Sequence, residues 1–242
     1  MVHPTAKPEK PFQLHPEPIL RRQQNTIGNS LGYTFLWLED SGRPAALGDI
    51  FFFKNHLEMR HMMNEWHSFN DQPLIVKGPG ANDVEKVFLD SPAPGLDWRA
   101  FPDADEPAKT TAGRKLQMTR LVRRIAIDST TQVSRQHHHL RLLTTPIFTY
   151  ESTGDPRFLS GAIFAFCVET DPECLISIEA RQSGDHYEWE FAPTATTIDL
   201  LALQLDEKPT WSADPPVFSL KSPHSTGFVK QVRVPLTPPA TP

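Results

Sequence analysis

The sequence predicts a mainly β protein with one linking α-helix, in which two duplicated antiparallel β-meander units pack as one sandwich or closed barrel. Three observations lead to this fold class. Strand-like alternation of apolar residues recurs along the chain, and one stretch alone has clear helical periodicity. In addition, the motifs of the first half return in the same order in the second half, at an offset of about 128 residues.

The repeat is clearest in two pairs of blocks. Residues 31–37 correspond to residues 160–166, both around an alternating aromatic strand that contains a glycine. Further on, Glu65-Trp66 corresponds to Glu188-Trp189, and there the offset falls to about 123 residues. The alignment predicts that Trp37 coincides with Phe166 and Trp66 with Trp189 in two copies of one unit.

Proline marks the ends of these units. The chain has 24 prolines among 242 residues, about twice the usual share, and they cluster at both ends and in the middle. We therefore expect a disordered Pro-rich arm, a first β unit, a crossing segment with an amphipathic helix, a second β unit and a Pro-rich tail. The respective ranges are 1–17, 18–89, 90–139, 140–212 and 213–242.

Each unit is expected to contain about five short strands. In the first, the turn Ser41-Gly42-Arg43-Pro44 joins two strands into a hairpin. In the second, Tyr187, Trp189 and Phe191 alternate with polar residues, which indicates one buried face. The predicted strands are 31–37, 45–53, 63–69, 73–77 and 84–89, then 140–150, 159–169, 174–181, 186–192 and 197–205.

The helix is expected from Thr110 to about residue 134, with Thr110 or Thr111 as its cap and a weak stretch at 128–131 where it could end. Its apolar stripe is Met118, Leu121, Val122 and Ile125. The arginines beside this stripe are expected to face water, because no Gly-rich phosphate loop accompanies them.

Composition excludes several classes. The formal net charge of −5 makes nucleic-acid binding unlikely. No apolar run approaches the roughly 20 residues of a membrane span, and residues 1–18 lack the apolar core of a signal peptide. Two cysteines, Cys167 and Cys174, do not make a disulfide scaffold, so a reducing, cytoplasmic location is expected. No cofactor motif is visible, and we expect none.

Histidines and one glutamate form the candidate metal site. His56, His61 and His67 lie near one another in the sequence, together with Glu65. Their spacing matches neither one helix face nor one strand face, but a hairpin could bring them together. A polar loop and strand face is the favoured interpretation, and a metal-dependent hydrolase is the alternative.

The expected function is a non-catalytic β module, structural or binding a small apolar ligand between its aromatic-lined sheets. Trp37, Trp66, Phe166 and Trp189 are the candidate ligand-binding residues. No nucleophile motif is present, and Glu179 is interpreted as a surface carboxylate. A further alternative is an interaction module whose Pro-rich tail, residues 235–239, binds a protein partner.

Residues 140–150, 161–166 and 170–173 resemble a family of hypothetical planctomycete-type bacterial proteins. The first half, with Glu65-Trp66-His67-Ser68 and the helix, is similar to the same family's first half, so the resemblance covers about residues 18–212. It implies a layout of two related units and contributes no catalytic residues, because the family has no assigned activity.

Overall fold

The computed structural model describes residues 1–7, 9–24, 30–54, 60–79, 85–91, 94–132, 134–213 and 229–235. In these ranges the chain forms one helix, α1 (Thr111–Val122), and nineteen strands. The strands are β1 (Val2–Pro4), β2 (Gln13–Leu14), β3 (Leu20–Gln24), β4 (Ser30–Leu38), β5 (Pro44–Lys54), β6 (Arg60–Ser68), β7 (Leu74–Pro79), β8 (Glu85–Ser91), β9 (Arg99–Ala100), β10 (Ile125–Thr130), β11 (His137–His139), β12 (Arg141–Leu142), β13 (Phe148–Glu151), β14 (Phe158–Val168), β15 (Asp171–Ser183), β16 (His186–Ala195), β17 (Leu200–Leu205), β18 (Lys208–Ala213) and β19 (Val229–Pro235).

Among the described residues these strands form four antiparallel sheets, which confirms the predicted mainly β class. The first large sheet contains β2, β3, β4, β5, β6 and β19, and the second contains β9, β12, β13, β14, β15 and β16. The first small sheet contains β1, β7 and β8. The second small sheet contains β10, β11, β17 and β18.

The two large sheets pack face to face, and the small sheets cover their outer faces. An aliphatic cluster joins the large sheets, with Leu36 and Leu47 from the first and Ile163 and Leu175 from the second. A second cluster lies between the first large and first small sheets. The third lies between the second large sheet, α1 and the second small sheet. The result is a layered, sandwich-like β fold.

The two halves share the pairing order of their large sheets and several register shifts, although β14–β15 has a further shift between Phe158 and Gly161. The hairpin β4–β5 shifts register after Trp37, and the hairpin β14–β15 shifts after Phe166. The small-sheet hairpins agree as well, with shifts after Val76 in β7–β8 and after Leu203 in β17–β18. Trp37 and Phe166 therefore occupy corresponding positions, as the sequence alignment predicts.

The predicted correspondence of Trp66 with Trp189 is wrong. Trp66 pairs with Gly48, and the position that corresponds to Gly48 is Ile176, whose cross-strand partner is Pro193. Trp189 lies elsewhere on β16, so the shared Glu-Trp dipeptide misaligns the two strands. Hydrogen-bond register fixes which residues are neighbours, and a local identity in sequence does not.

The halves exchange one strand each. β9 follows the first small sheet along the chain but pairs with β16 of the second large sheet. β19 follows the second small sheet but pairs with β6 of the first large sheet. Each large sheet is therefore completed by a strand from the other half.

Two segments differ from the sequence expectation. Residues 1–17 do not form a wholly disordered arm, because β1 pairs with β7, β2 pairs with β4, and Val2 is buried. The helix ends at Val122, and residues 125–130 form β10 rather than its last turns. Ile125 and Ile127 point to the core at a strand period, and these β-branched residues favour extended backbone.

Other elements agree with the prediction or go beyond it. Thr110 caps α1, and its hydroxyl accepts a hydrogen bond from the Gly113 amide. The predicted Pro-rich tail supplies β19, while residues 236–239 of the proposed partner motif lie outside the described residues. In the part of the chain that the structure describes, no helix has the length and apolarity needed to cross a membrane.

Candidate functional site: a buried ion-pair network below a surface cleft

The four aromatic residues predicted to bind a ligand are divided between two cores. Trp37 and Trp66 pack together, with ring centroids 4.9 Å apart, under the first small sheet. Phe166 and Trp189 lie in the core beneath α1. Both pairs are on the outer faces of the large sheets, and the shared inner surface is mainly aliphatic. Ligand binding by these four residues stays a prediction.

The predicted metal ligands are only partly described. His56 lies outside the described residues, and of His61 only the backbone is described. Glu65 and His67 are buried and share one face of β6, the face that packs toward the second large sheet. Among the described side chains, no group of three or more histidines, cysteines or carboxylates could hold a metal ion. The complete metal site therefore stays a prediction.

His67 is fully enclosed in this inner surface. Burial lowers the pKa of its imidazole to about 4, because the charged form would lose its hydration. The ring is consequently neutral at neutral pH.

Charged residues that the sequence did not single out meet between the large sheets. Arg43, just before β5, and Glu179, in β15, are 1% and 0% exposed. The guanidinium donates from Nε to Oε1 at 2.8 Å and from Nη2 to Oε2 at 2.9 Å. Burial by itself lowers the pKa of Arg43, but the charge and hydrogen bonds of Glu179 raise it above its ordinary value. Arg43 therefore keeps its positive charge, and the pair joins the two halves.

Tyr150 adds a hydrogen bond to this ion pair, and Gly161 leaves room for the tyrosine ring. The Tyr150 hydroxyl donates to Oε1 of Glu179 at 2.8 Å. Burial, followed by the neighbouring Glu179, raises the pKa of Tyr150 well above its ordinary value, so the hydroxyl keeps its proton. A Cβ atom at Gly161 would overlap the Tyr150 ring, so the glycine makes room for this contact.

The network continues toward the surface. Arg43 also binds Asp71, and Arg157 lies 3.6 Å from the same carboxylate. Arg157 donates to Glu39 at 2.8 Å and to Asp155 at 2.6 Å. A chain of alternating charges thus runs from the buried Glu179 to the partly exposed Arg157. We call Arg43, Asp71, Glu179, Tyr150 and Arg157 the central network.

A second network also connects the two large sheets. Arg22 binds Asp49 in its own sheet and Asp171 at the start of β15. Thr34 donates to Asp49 at 2.8 Å. Next to these residues lies a cavity of about 10 Å³, bounded by both large sheets and lined in part by Ile147. It has room for about one water molecule.

A cleft of about 490 Å³ opens at the surface beside the central network. We call it the N-terminal cleft, because one wall is the segment that contains Lys7, Lys10 and Phe12. The facing wall contains Glu39, Asp40 and Arg157, from the β4–β5 turn and the loop before β14. Both signs of charge and an aromatic ring therefore border one concave surface.

The cysteines are placed for packing. Cys167 and Cys174 are free and buried, in different core clusters on the two faces of the second large sheet. Burial raises the pKa of Cys167 to about 12 and raises that of Cys174 as well. Both thiols are therefore protonated and of low nucleophilicity at neutral pH.

The basic residues of α1 do not form one uniform solvated face. Arg114 donates to Ser160 at 2.9 Å and also binds Glu151. Arg124, just after α1, donates to Asp206 and to the carbonyl of Pro102. Arg114 attaches the first turn of α1 to β13 and β14, and Arg124 attaches the residues that follow α1 to the β17–β18 turn. The expectation that these two arginines only face water is therefore wrong.

Sequence reasoning missed the central network although one signal was present. Glu179 is the single charge in residues 174–180, a strand stretch that otherwise contains apolar residues and one serine. A charge in such a strand must be exposed or find a buried partner. The interpretation of Glu179 as a surface carboxylate is wrong, because Arg43 lies 136 positions away in sequence and only the packed sheets bring it close. Comparison with protein-family models, curated proteins and solved structures finds no match for this chain.

Proposed function

We propose that this protein is a non-catalytic β module that binds a small polar ligand in the N-terminal cleft. The observation that carries the proposal is a cleft of about 490 Å³ with charged walls. Small-molecule sites usually measure roughly 300–1,000 Å³ and hold a few fixed polar groups.

The walls of this cleft are held in place by the fold. Asn70 donates to Glu39 at 2.9 Å, and Arg157 donates to the other oxygen of Glu39 at 2.8 Å. Arg157 is itself close to Asp71 of the central network. A binding surface that is ordered before the ligand arrives loses less entropy on binding, which favours affinity.

The pairing of the buried charged residues with one another supports the proposal that the module is non-catalytic. Arg43 and Glu179 are engaged with each other, and Arg22 is engaged with Asp49 and Asp171. Two of these ion pairs, Arg43–Glu179 and Arg22–Asp171, join the two large sheets. Groups engaged in this way serve the fold, which is the role that we assign to both networks.

The site that we propose differs from the interior apolar site expected from the sequence. The cavity between the large sheets measures about 10 Å³, far below the volume of an organic ligand. The cleft offers the volume, and its lining is charged. The ligand is therefore polar and binds at the surface.

We also propose that the two halves descend from one duplicated unit. The shared pairing order, the register shifts after Trp37 and Phe166, and the reciprocal exchange of β9 and β19 support this origin. The resemblance to planctomycete-type bacterial proteins with two related units agrees with it.

A fragment screen tests the binding proposal. The ¹⁵N-labelled full chain is titrated with small carboxylates, amines and neutral fragments, and amide shifts are mapped. We expect saturable shifts at residues 39–41 and 70–72, around the cleft. A Gln72→Trp variant, which fills the cleft, should abolish them, while the exposed control Gln182→Trp should keep them. Hits that survive Gln72→Trp unchanged would contradict the proposed location.

A further inference from the structure

The N-terminal cleft is lined by charges of both signs. Lys7, Lys10 and Arg157 contribute positive charges, and Glu39 and Asp40 contribute negative ones. Arg157 is also paired with Asp155 and lies 3.6 Å from Asp71, so its charge is balanced by its own neighbours.

The two carboxylates already have partners. Lys10 binds Asp40, and Arg157 binds Glu39, which also accepts a hydrogen bond from Asn70. A cationic ligand would have to compete with these internal cations. The acidic groups are thus poorly placed to recruit an external amine.

Lys7 is the cation of this lining that is left for a ligand. Among the residues that the structure describes, its ammonium group has no ion-pair partner, and the side chain is exposed. Its backbone is fixed nevertheless: the Lys7 amide donates to the Pro4 carbonyl at 3.2 Å, and the Lys10 amide donates to the Lys7 carbonyl at 3.1 Å. The turn holds the start of this side chain at the rim of the cleft.

An apolar wall adjoins this charge. Pro4, Pro11 and Phe12 line the same cleft, and Phe12 packs against the core of the first half. The Phe12 amide donates to the Val2 carbonyl at 2.9 Å, which ties this wall to β1. An apolar group of a ligand would find a fixed ring and two proline rings there.

From these observations we infer that the N-terminal cleft takes a small organic carboxylate with an apolar or aromatic group. Lys7 pairs with the carboxylate, and the wall formed by Pro4, Pro11 and Phe12 covers the apolar part. This inference rests on the proposed function and adds the chemical class of its ligand. An ammonium group supplies up to three hydrogen-bond donors to such an anion, which suits a freely oriented carboxylate.

Four probes separate the contribution of the carboxylate charge to binding from that of the aromatic ring. The ¹⁵N-labelled full chain is titrated with benzoate, acetate, benzyl alcohol and benzamidine. Benzoate should give saturable shifts at residues 7, 9, 10, 12 and 39–41, with a Kd in the millimolar range. Acetate lacks the ring and benzyl alcohol lacks the charge, so both should bind at least about fivefold more weakly. Benzamidine should give no saturable shift there.

Matched lysine variants assign the charge. Lys7→Gln should weaken benzoate binding at least about fivefold, since Lys7 supplies the unmatched charge. Lys115→Gln, at an exposed lysine of α1 outside the cleft, should leave the benzoate Kd unchanged. Both variants should keep the wild-type melting temperature within about one degree, because both side chains are exposed.

The outcomes distinguish a failure of the carboxylate inference from a failure of the proposed binding function. Benzamidine or benzyl alcohol binding in the cleft as tightly as benzoate, or a Lys7→Gln variant with unchanged affinity, would overturn the carboxylate inference and leave the binding module standing. If neither these probes nor the broader fragment set shifts the cleft amides, the proposed function fails as well.

Discussion

Arg43 and Asp171 occupy corresponding positions in the two halves, and each extends its charge into the opposite large sheet. Each residue directly precedes a proline, which is Pro44, the first residue of β5, in one half and Pro172, the second residue of β15, in the other. Arg43 binds Glu179 of the second sheet, and Asp171 binds Arg22 of the first. The sheets are thus joined by two ion pairs, and in both of them the arginine comes from the first half and the carboxylate from the second.

Removing the charge of Glu179 should destabilise the protein strongly. In Glu179→Gln the buried Arg43 guanidinium keeps Asp71 but loses its main counter-charge. We expect a loss of about 3 kcal/mol in the free energy of unfolding, at the lower end of the range for breaking a buried pair. Urea denaturation followed by tryptophan fluorescence measures it.

The control is Glu190→Gln, which changes the residue directly across from Glu179 on β16. Glu190 is 27% exposed and pairs with Arg181, so its loss should cost at most about 1 kcal/mol. Equal costs for the two variants would mean that the central network does not hold the sheets together.

Gly161→Ala should disturb the fold through Tyr150. The added methyl group overlaps the tyrosine ring and pushes its hydroxyl away from Glu179. We expect a cost of about 1–3 kcal/mol in unfolding free energy, as for other overpacked cores. In a Tyr150→Leu background the same substitution should cost at least about 1 kcal/mol less. A double-mutant cycle that proves additive would show that the two positions are independent.

His67 should make stability depend on pH. Its pKa is about 4 in the folded protein and 6.5 when exposed, so below pH 6.5 the unfolded chain binds a proton that the folded protein does not. The contribution is fully present above pH 6.5 and is lost as pH falls toward 4, by about 3 kcal/mol in all.

Replacement of this histidine tests the assignment. His67→Gln should flatten the fall in unfolding free energy between pH 6.5 and 4, whereas His186→Gln, at an exposed histidine, should preserve it. Melts at half-unit pH steps give the two profiles. An unaltered profile in His67→Gln would assign the pH dependence to other groups.

Arg123 and Arg124 are adjacent but should respond differently to substitution. Arg123 is exposed, so Arg123→Glu should change unfolding free energy by at most about 0.5 kcal/mol. Arg124 binds Asp206 and the Pro102 carbonyl and lies 5.7 Å from the Phe101 ring centroid. Arg124→Glu would place a carboxylate beside Asp206, so its melting temperature should be clearly lower than that of Arg123→Glu. Matching melting curves would indicate that Arg124 also faces water.

The helix α1 shows where prediction from a local sequence pattern fails. The sequence predicts Thr110 or Thr111 as the cap, and the structure shows Thr110 in this role. Met118, Leu121 and Val122 are buried as their spacing predicts. Ile125 fits the same stripe but begins β10, because pairing with β17 offers its backbone a ladder of hydrogen bonds. A residue whose spacing would extend a helix by one turn can instead form a strand when its backbone pairs with a neighbouring strand.

The elements that depend on neighbours along the chain could be predicted from the sequence alone. These are the alternating strands, the hairpin turn at Gly42 and the Thr110 cap. Backbone sterics and side-chain periodicity act over a few residues, so their effects can be predicted from a short stretch of sequence. The folded structure was needed to show that Glu179 is buried against Arg43, that β9 and β19 exchange sheets, and that the N-terminal segment forms a cleft wall. Each of these depends on contacts between distant segments, whose cost in desolvation and chain entropy is offset only when the whole sandwich packs.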